Sequence, residues 1–150
     1  MIIKQFLKDY INEIKQELIF YNKNSYSPYS NFRVSSVLAV DKNGVIEFVG
    51  GTNIENSSYG LTMCAERVTI FNAISKGLVN NSNSIWLGLF LYVPVKEFVP
   101  PCGACRQVIS EFANDIPIII FNKDFDYKIY NLSDIFKEVF GSNFFKFERG

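Results

Sequence analysis

A single α/β layer structure built on a mixed sheet is what this sequence predicts, and three observations carry that reading. Apolar residues at helical spacing open the chain, a hairpin signature follows, and short apolar runs then alternate with helical stretches. Helix, hairpin, then alternating helix and strand is an order that buries one sheet against helices. With 150 residues the chain suits one domain with a substantial core, covering 1–150.

The elements follow in order. Over 3–21, Phe6, Leu7, Tyr10, Ile11, Ile14 and Leu18 recur at the spacing of an amphipathic helix. Residues 22–31, with Asn24, Ser25, Ser27, Pro28 and Ser30, predict a loop. Residues 32–40 alternate as a strand, Asp41-Lys42-Asn43-Gly44 supplies hairpin-turn chemistry, and 45–49 is the return strand. Glycines and a polar run make 50–60 a loop. A helix over 64–76 stops at Gly77, a natural residue for the left-handed position after a helix. Residues 85–93 are almost continuously apolar, as in a strand buried on both faces. After Pro100 and Pro101 come a helix over 102–112, an apolar strand over 117–121, a short strand over 127–130, and a last helix over 132–140. Asn131 or Ser133 caps that helix.

Composition excludes several functions. The formal net charge is zero and Lys and Arg form no cluster, which counts against a dedicated nucleic-acid binder. No stretch approaches the roughly 20 apolar residues of a membrane span. Lys4, Lys8 and Asp9 interrupt the N-terminus, so it does not read as a secretory leader. Three cysteines, an odd number with two of them three residues apart, suit metal or catalytic use in a reducing compartment. The expected location is the cytoplasm.

All three cysteines fall in two motifs, Cys64-Ala65-Glu66-Arg67 and Pro101-Cys102-Gly103-Ala104-Cys105, and the chain has no histidine. Each motif opens a predicted helix, where free N–H groups and the positive end of the dipole favour thiolates. Three thiolates give three ligands to one Zn2+ per chain and leave the fourth tetrahedral position for water, as catalytic zinc requires. Glu66 stands beside that metal without being needed as a ligand. Zinc lowers the pKa of bound water to about 7 in favourable sites, and a neighbouring carboxylate can carry the proton. Three thiolates on a divalent ion leave one excess negative charge. Arg67, one turn beyond Cys64, is placed to donate to the sulfurs and offset it; Arg106 is a second candidate. A Cys-x-x-Cys also occurs in structural zinc modules, and a lone helical Cys is often a small buried hydrophobe. A structural site, however, normally closes with a fourth Cys or His, and this chain has neither to offer.

Cys-Ala-Glu-Arg followed by Pro-Cys-Gly-Ala-Cys-Arg-Gln-Val-Ile resembles the zinc deaminase superfamily, with its signature of a metal ligand, x, Glu, then Pro-Cys-x-x-Cys. Tyr29-Ser30-Asn31-Phe32 and the run from Asn53 to Gly60 resemble the small homotetrameric cytidine deaminases in particular. The match covers roughly 26–140. It implies a three-layer α-β-α fold with a mixed five-stranded sheet, and hydrolytic deamination of cytidine and 2′-deoxycytidine in pyrimidine salvage. It implies Cys64, Cys102 and Cys105 as zinc ligands, and Glu66 as the group that protonates N3 and helps the amino group leave. It also implies base contacts from the backbone of Ala65 and Pro100, packing of Phe32 on the base, and binding of the ribose 3′-hydroxyl by Asn53 and Glu55. In such a tetramer Ser57 and Tyr59 reach into a neighbour's pocket, and Phe140 of the last helix covers the base there. Ser35 and Ser36 depart from the family's usual Gly-Ala, Pro100 from its usual Ser, and Lys137 from a frequent Pro, while 142–150 has no counterpart. Two rival readings stand beside this one: a relative acting on another amino-heterocycle or on cytosine in a polynucleotide, and a zinc-stabilised binding module without turnover.

Overall fold

The computed structural model describes residues 2–145. Helix α1 (Ile3–Lys23) leads into strands β1 (Ser35–Lys42) and β2 (Val45–Thr52). Then come α2 (Ala65–Ser75), β3 (Ser84–Tyr92), α3 (Gly103–Phe112), β4 (Pro117–Phe121), β5 (Tyr127–Asn131) and the single turn α4 (Leu132–Ile135). The strands lie in the order β2-β1-β3-β4-β5. Neighbours run antiparallel except β3 and β4, which are parallel. A parallel pair needs a crossover, and α3 supplies it.

Alternation along the strands sorts the core into two layers. Val37, Ala39, Phe90, Ile119 and Phe121 pack against α1, whose Phe6, Leu7, Ile14 and Leu18 are all buried. Their sequence neighbours Leu38, Leu89, Leu91, Ile118 and Ile120 pack with Ile70 and Ala73 of α2 and Ile109 of α3. Burying a side chain of this size is worth roughly 1.5–3 kcal/mol, so each helix is fixed by several such contacts. The mixed five-stranded sheet between helical layers is the architecture expected. None of the helices is long and apolar enough to cross a membrane among the described residues.

Several boundaries differ from expectation, each for a physical reason. The first strand begins at Ser35, not at 32, because the backbone at Val34 bonds to the side chains of Thr52 and Asn53 and not into the ladder. The Val34 N–H donates to the Asn53 side chain (2.9 Å), and its carbonyl accepts from Thr52 Oγ1 (2.7 Å). The strand then continues through Lys42, which pairs with Val45. Asn43 and Gly44 alone make the turn, with φ of 53° and 86°. Residues 50–52 extend β2 and are not loop. Gly50 and Gly51 allow close approach: a Cβ on Gly51 would lie 2.8 Å from Val68 Cγ1 and 2.9 Å from the Thr69 backbone nitrogen. The last helix ends at Ile135 instead of reaching 140. Arg106 Nη1 takes the Ile135 carbonyl (2.5 Å) and Gln107 Nε2 the Phe140 carbonyl (2.8 Å). These bonds tie 136–140 to α3 as irregular chain, so Phe140 is not helical. Asn131 is the cap, its N–H donating to the Asp134 carboxylate (2.8 Å). Residues 146–150 of the tail lie outside the described residues.

Candidate active site

Two helix starts converge here. Cys64 caps α2 and Cys102 caps α3, both with extended backbone, and Cys105 lies in the first turn of α3. Their three sulfurs lie within 4.8 Å of one another, and those of Cys64 and Cys102 are 3.9 Å apart. Thiolates about 2.3 Å from a tetrahedral ion would stand about 3.8 Å from each other. The cluster therefore has the donor set and spacing of a three-sulfur zinc site, and all three cysteines are free thiols.

The Cys105 thiol donates to Cys64 and, with help from Arg67, brings the Cys64 pKa down to about 5 against the effect of burial. The same contact pushes the Cys105 thiol up. Arg67 Nη2 donates to Cys64 Sγ at 3.3 Å. Its buried Nε has no hydrogen-bond partner among the described residues. Arg106 donates elsewhere. Its Nε binds the Pro101 carbonyl (2.8 Å) and its Nη1 the Ile135 carbonyl, so the side chain braces the Pro-Cys loop and the tail.

Glu66 is the second residue of α2 and only 5% exposed. Burial pushes its carboxyl up to about 7 and the neighbouring Cys64 thiolate adds to this, while its own backbone N–H pulls the other way. A hollow of about 390 Å3 adjoins it, lined by Glu66, Cys64 and Cys102 and by Phe32, Asn53, Glu55, Ala65 and Pro100. All five expected substrate contacts thus border the same space as two of the sulfurs. Its size falls in the range of small-molecule sites, about 300–1,000 Å3.

Asn53 and Glu55 are nearly buried and heavily bonded. Asn53 Oδ1 accepts from Ser25 Oγ (2.6 Å) and the Val34 N–H, and Nδ2 donates to the Phe32 carbonyl (2.7 Å). Glu55 Oε2 accepts from the Tyr29 and Ser30 N–H groups (2.9 and 3.2 Å), and Oε1 from the Ser30 hydroxyl. That hydroxyl, followed by the two amides, holds the Glu55 carboxyl below the usual range, although burial opposes it.

Ser57, Tyr59 and Phe140 do not line this hollow in their own chain. Tyr59 is 74% exposed, lies edge-on to Tyr29 at 5.8 Å and borders a second, adjoining hollow with Ser30, Glu55 and Thr62. Phe140 stacks on Phe144 with centroids 5.9 Å apart, and Ser57 is exposed. Sequence reasoning missed Ser30, Val34, Thr62, Leu91, Val93 and Val99 as lining residues. The apolar ones look like ordinary strand residues, and the turn composition around Ser30 gives no sign of which side chain faces Glu55.

Three clustered sulfurs with the spacing of a metal site, a buried carboxyl group beside them and a half-open, largely apolar hollow have the parts of a metal-dependent hydrolytic site. The comparisons with known proteins agree. A model of the cytidine and deoxycytidylate deaminase zinc-binding region matches residues 11–121. The cytidine deaminase of Halalkalibacterium halodurans is 36% identical over 126 residues, covering 83% of this chain and 89% of the relative. That of Mycoplasma pneumoniae is 33% identical over 139 residues, covering 89% and 94%. The crystal structure of cytidine deaminase from Burkholderia pseudomallei superposes with a TM-score of 0.77 at 28% identity, covering 86% of this chain and 98% of that one. The chain belongs to the cytidine and deoxycytidylate deaminase family.

Proposed function

We propose that this protein is a cytidine deaminase, converting cytidine and 2′-deoxycytidine with water to uridine and 2′-deoxyuridine and ammonia. The observation that carries the reading is that two of the three clustered cysteines, Glu66 and the Asn53–Glu55 pair border one nucleoside-sized hollow. Cys64, Cys102 and Cys105 would hold one zinc ion, which would supply Lewis-acid activation of water. Glu66, buried and ready to hold a proton, would carry one proton to N3 of the base and a second, from the hydroxyl added at C4, to the departing amino group. Arg67 offsets the excess negative charge of three thiolates through its contact with Cys64.

The pyrimidine is held by backbone groups of Ala65 and Pro100 and by the ring of Phe32. Asn53 and Glu55 take the sugar 3′-hydroxyl. The whole of 1–150 acts as one domain, working as a homotetramer in cytoplasmic pyrimidine salvage. There Ser57, Tyr59 and Phe140 complete a neighbour's pocket, a role their exposure suits. A spectrophotometric cytidine assay, with metal content measured on the same sample, tests the reading. Turnover that scales with bound zinc supports it. Zinc-loaded protein that releases no ammonia from cytidine or 2′-deoxycytidine refutes it.

A further inference from the structure

The hydrogen bonds around Glu55 leave little freedom. Both Oε2 lone pairs are taken by the Tyr29 and Ser30 amides, and Oε1 accepts from the Ser30 hydroxyl. The Ser30 hydroxyl is the donor in that last bond, because an ionised carboxylate can only accept, and Ser30 Oγ in turn accepts the Phe32 N–H at 3.0 Å. On Asn53, Oδ1 accepts two bonds and one Nδ2 hydrogen goes to the Phe32 carbonyl. Among the described residues, one acceptor site on Glu55 Oε1 and one N–H on Asn53 remain. A hydroxyl, which accepts one bond and donates one, matches that pair. A ketone lacks the donor.

We propose that Ser30 is a positioning residue that aims the free side of the Glu55 carboxylate at a single substrate hydroxyl, and so sets discrimination for the 3′-hydroxyl of the sugar. The inference rests on the reading of Asn53 and Glu55 as sugar contacts. Ser30 borders the hollow itself, yet its hydroxyl is already engaged on both sides by Phe32 and Glu55. Without that hydroxyl the carboxylate hangs from Oε2 alone and Oε1 is free to swing.

The test compares cytidine with 3′-deoxycytidine on zinc-loaded wild type, Ser30→Ala and Ser30→Thr. A hydrogen bond to a charged group supports an expected loss of about tenfold in kcat/KM on cytidine for S30A, with less than about a twofold change on 3′-deoxycytidine. The loss should appear mainly in KM, because the hydroxyl is remote from the reacting C4 and is bound alike in ground and transition states. S30T, which restores the donor, should recover the wild-type ratio between the two substrates. If S30A does not fold, Ser30→Cys, similar in volume and a far weaker donor, takes the same ratio test. Equal losses on both substrates, or no loss on cytidine, would overturn the role of Ser30. A wild type that fails to distinguish the two substrates would instead overturn the sugar reading beneath it.

Discussion

At Glu66 a carboxyl group lies buried beside three sulfurs, and removal from water has raised its hold on a proton. A group so placed can serve chemistry without serving the metal. Glu66→Ala should therefore keep its zinc and its fold while turnover falls by about 10²- to 10⁴-fold; metal analysis, circular dichroism and the cytidine assay on one preparation check this. Glu55 presents the opposite case, a carboxylate whose charged form is favoured by the Ser30 hydroxyl and two amides. Its folded pKa lies below the unfolded value of about 4.3. Its contribution to stability is therefore complete above that value and is lost as pH falls through the lower, folded one. The gap in melting temperature between wild type and Glu55→Gln should be widest near neutrality and shrink towards pH 3; a pH series of melting curves reads it. At this scale legibility was uneven. Cys64, Glu66 and Cys102 could be read because their chemistry is packed into short motifs. Ser30 could not, because its partner lies 25 residues away and only folding joins them.

For the elements, the sequence pattern located each α-helix and strand of the described residues, missed the short 3-10 turns Tyr59–Leu61 and Ser142–Phe144, and otherwise erred at element ends. Gly50 and Gly51 were taken for loop because glycine is commonest in turns. Here they let α2 and Tyr21 approach a strand, a relation that exists only in three dimensions. Gly51→Ala should destabilise the protein by about 1–3 kcal/mol, since the added carbon meets Val68 and the Thr69 backbone. Gly60→Ala, with nothing within 4 Å and no positive φ, should stay within about 0.5 kcal/mol of wild type. Denaturant midpoints for the two variants check the contrast. The short α4 has a similar origin. Its sequence supports a longer helix, but Arg106 and Gln107 compete for the carbonyls at Ile135 and Phe140.

Across the whole molecule, cation binding and folding are linked because three sulfurs from two helices meet at one point. A ligand present at about a thousand times its dissociation constant adds about 4.1 kcal/mol to the folded state. Dialysis against a chelator should lower the melting temperature; zinc should restore it, and magnesium, a poor partner for thiolates, should not. Calorimetry of the three samples decides. The pairing of β3 with β4 has a further consequence for biosynthesis. Cys64 follows the β1–β2 hairpin, whereas Cys102 and Cys105 ride on the crossover helix, whose seat is fixed only once β4 docks beside β3. A ribosome must therefore release the chain to about Phe121 before the pincer can close on its ion.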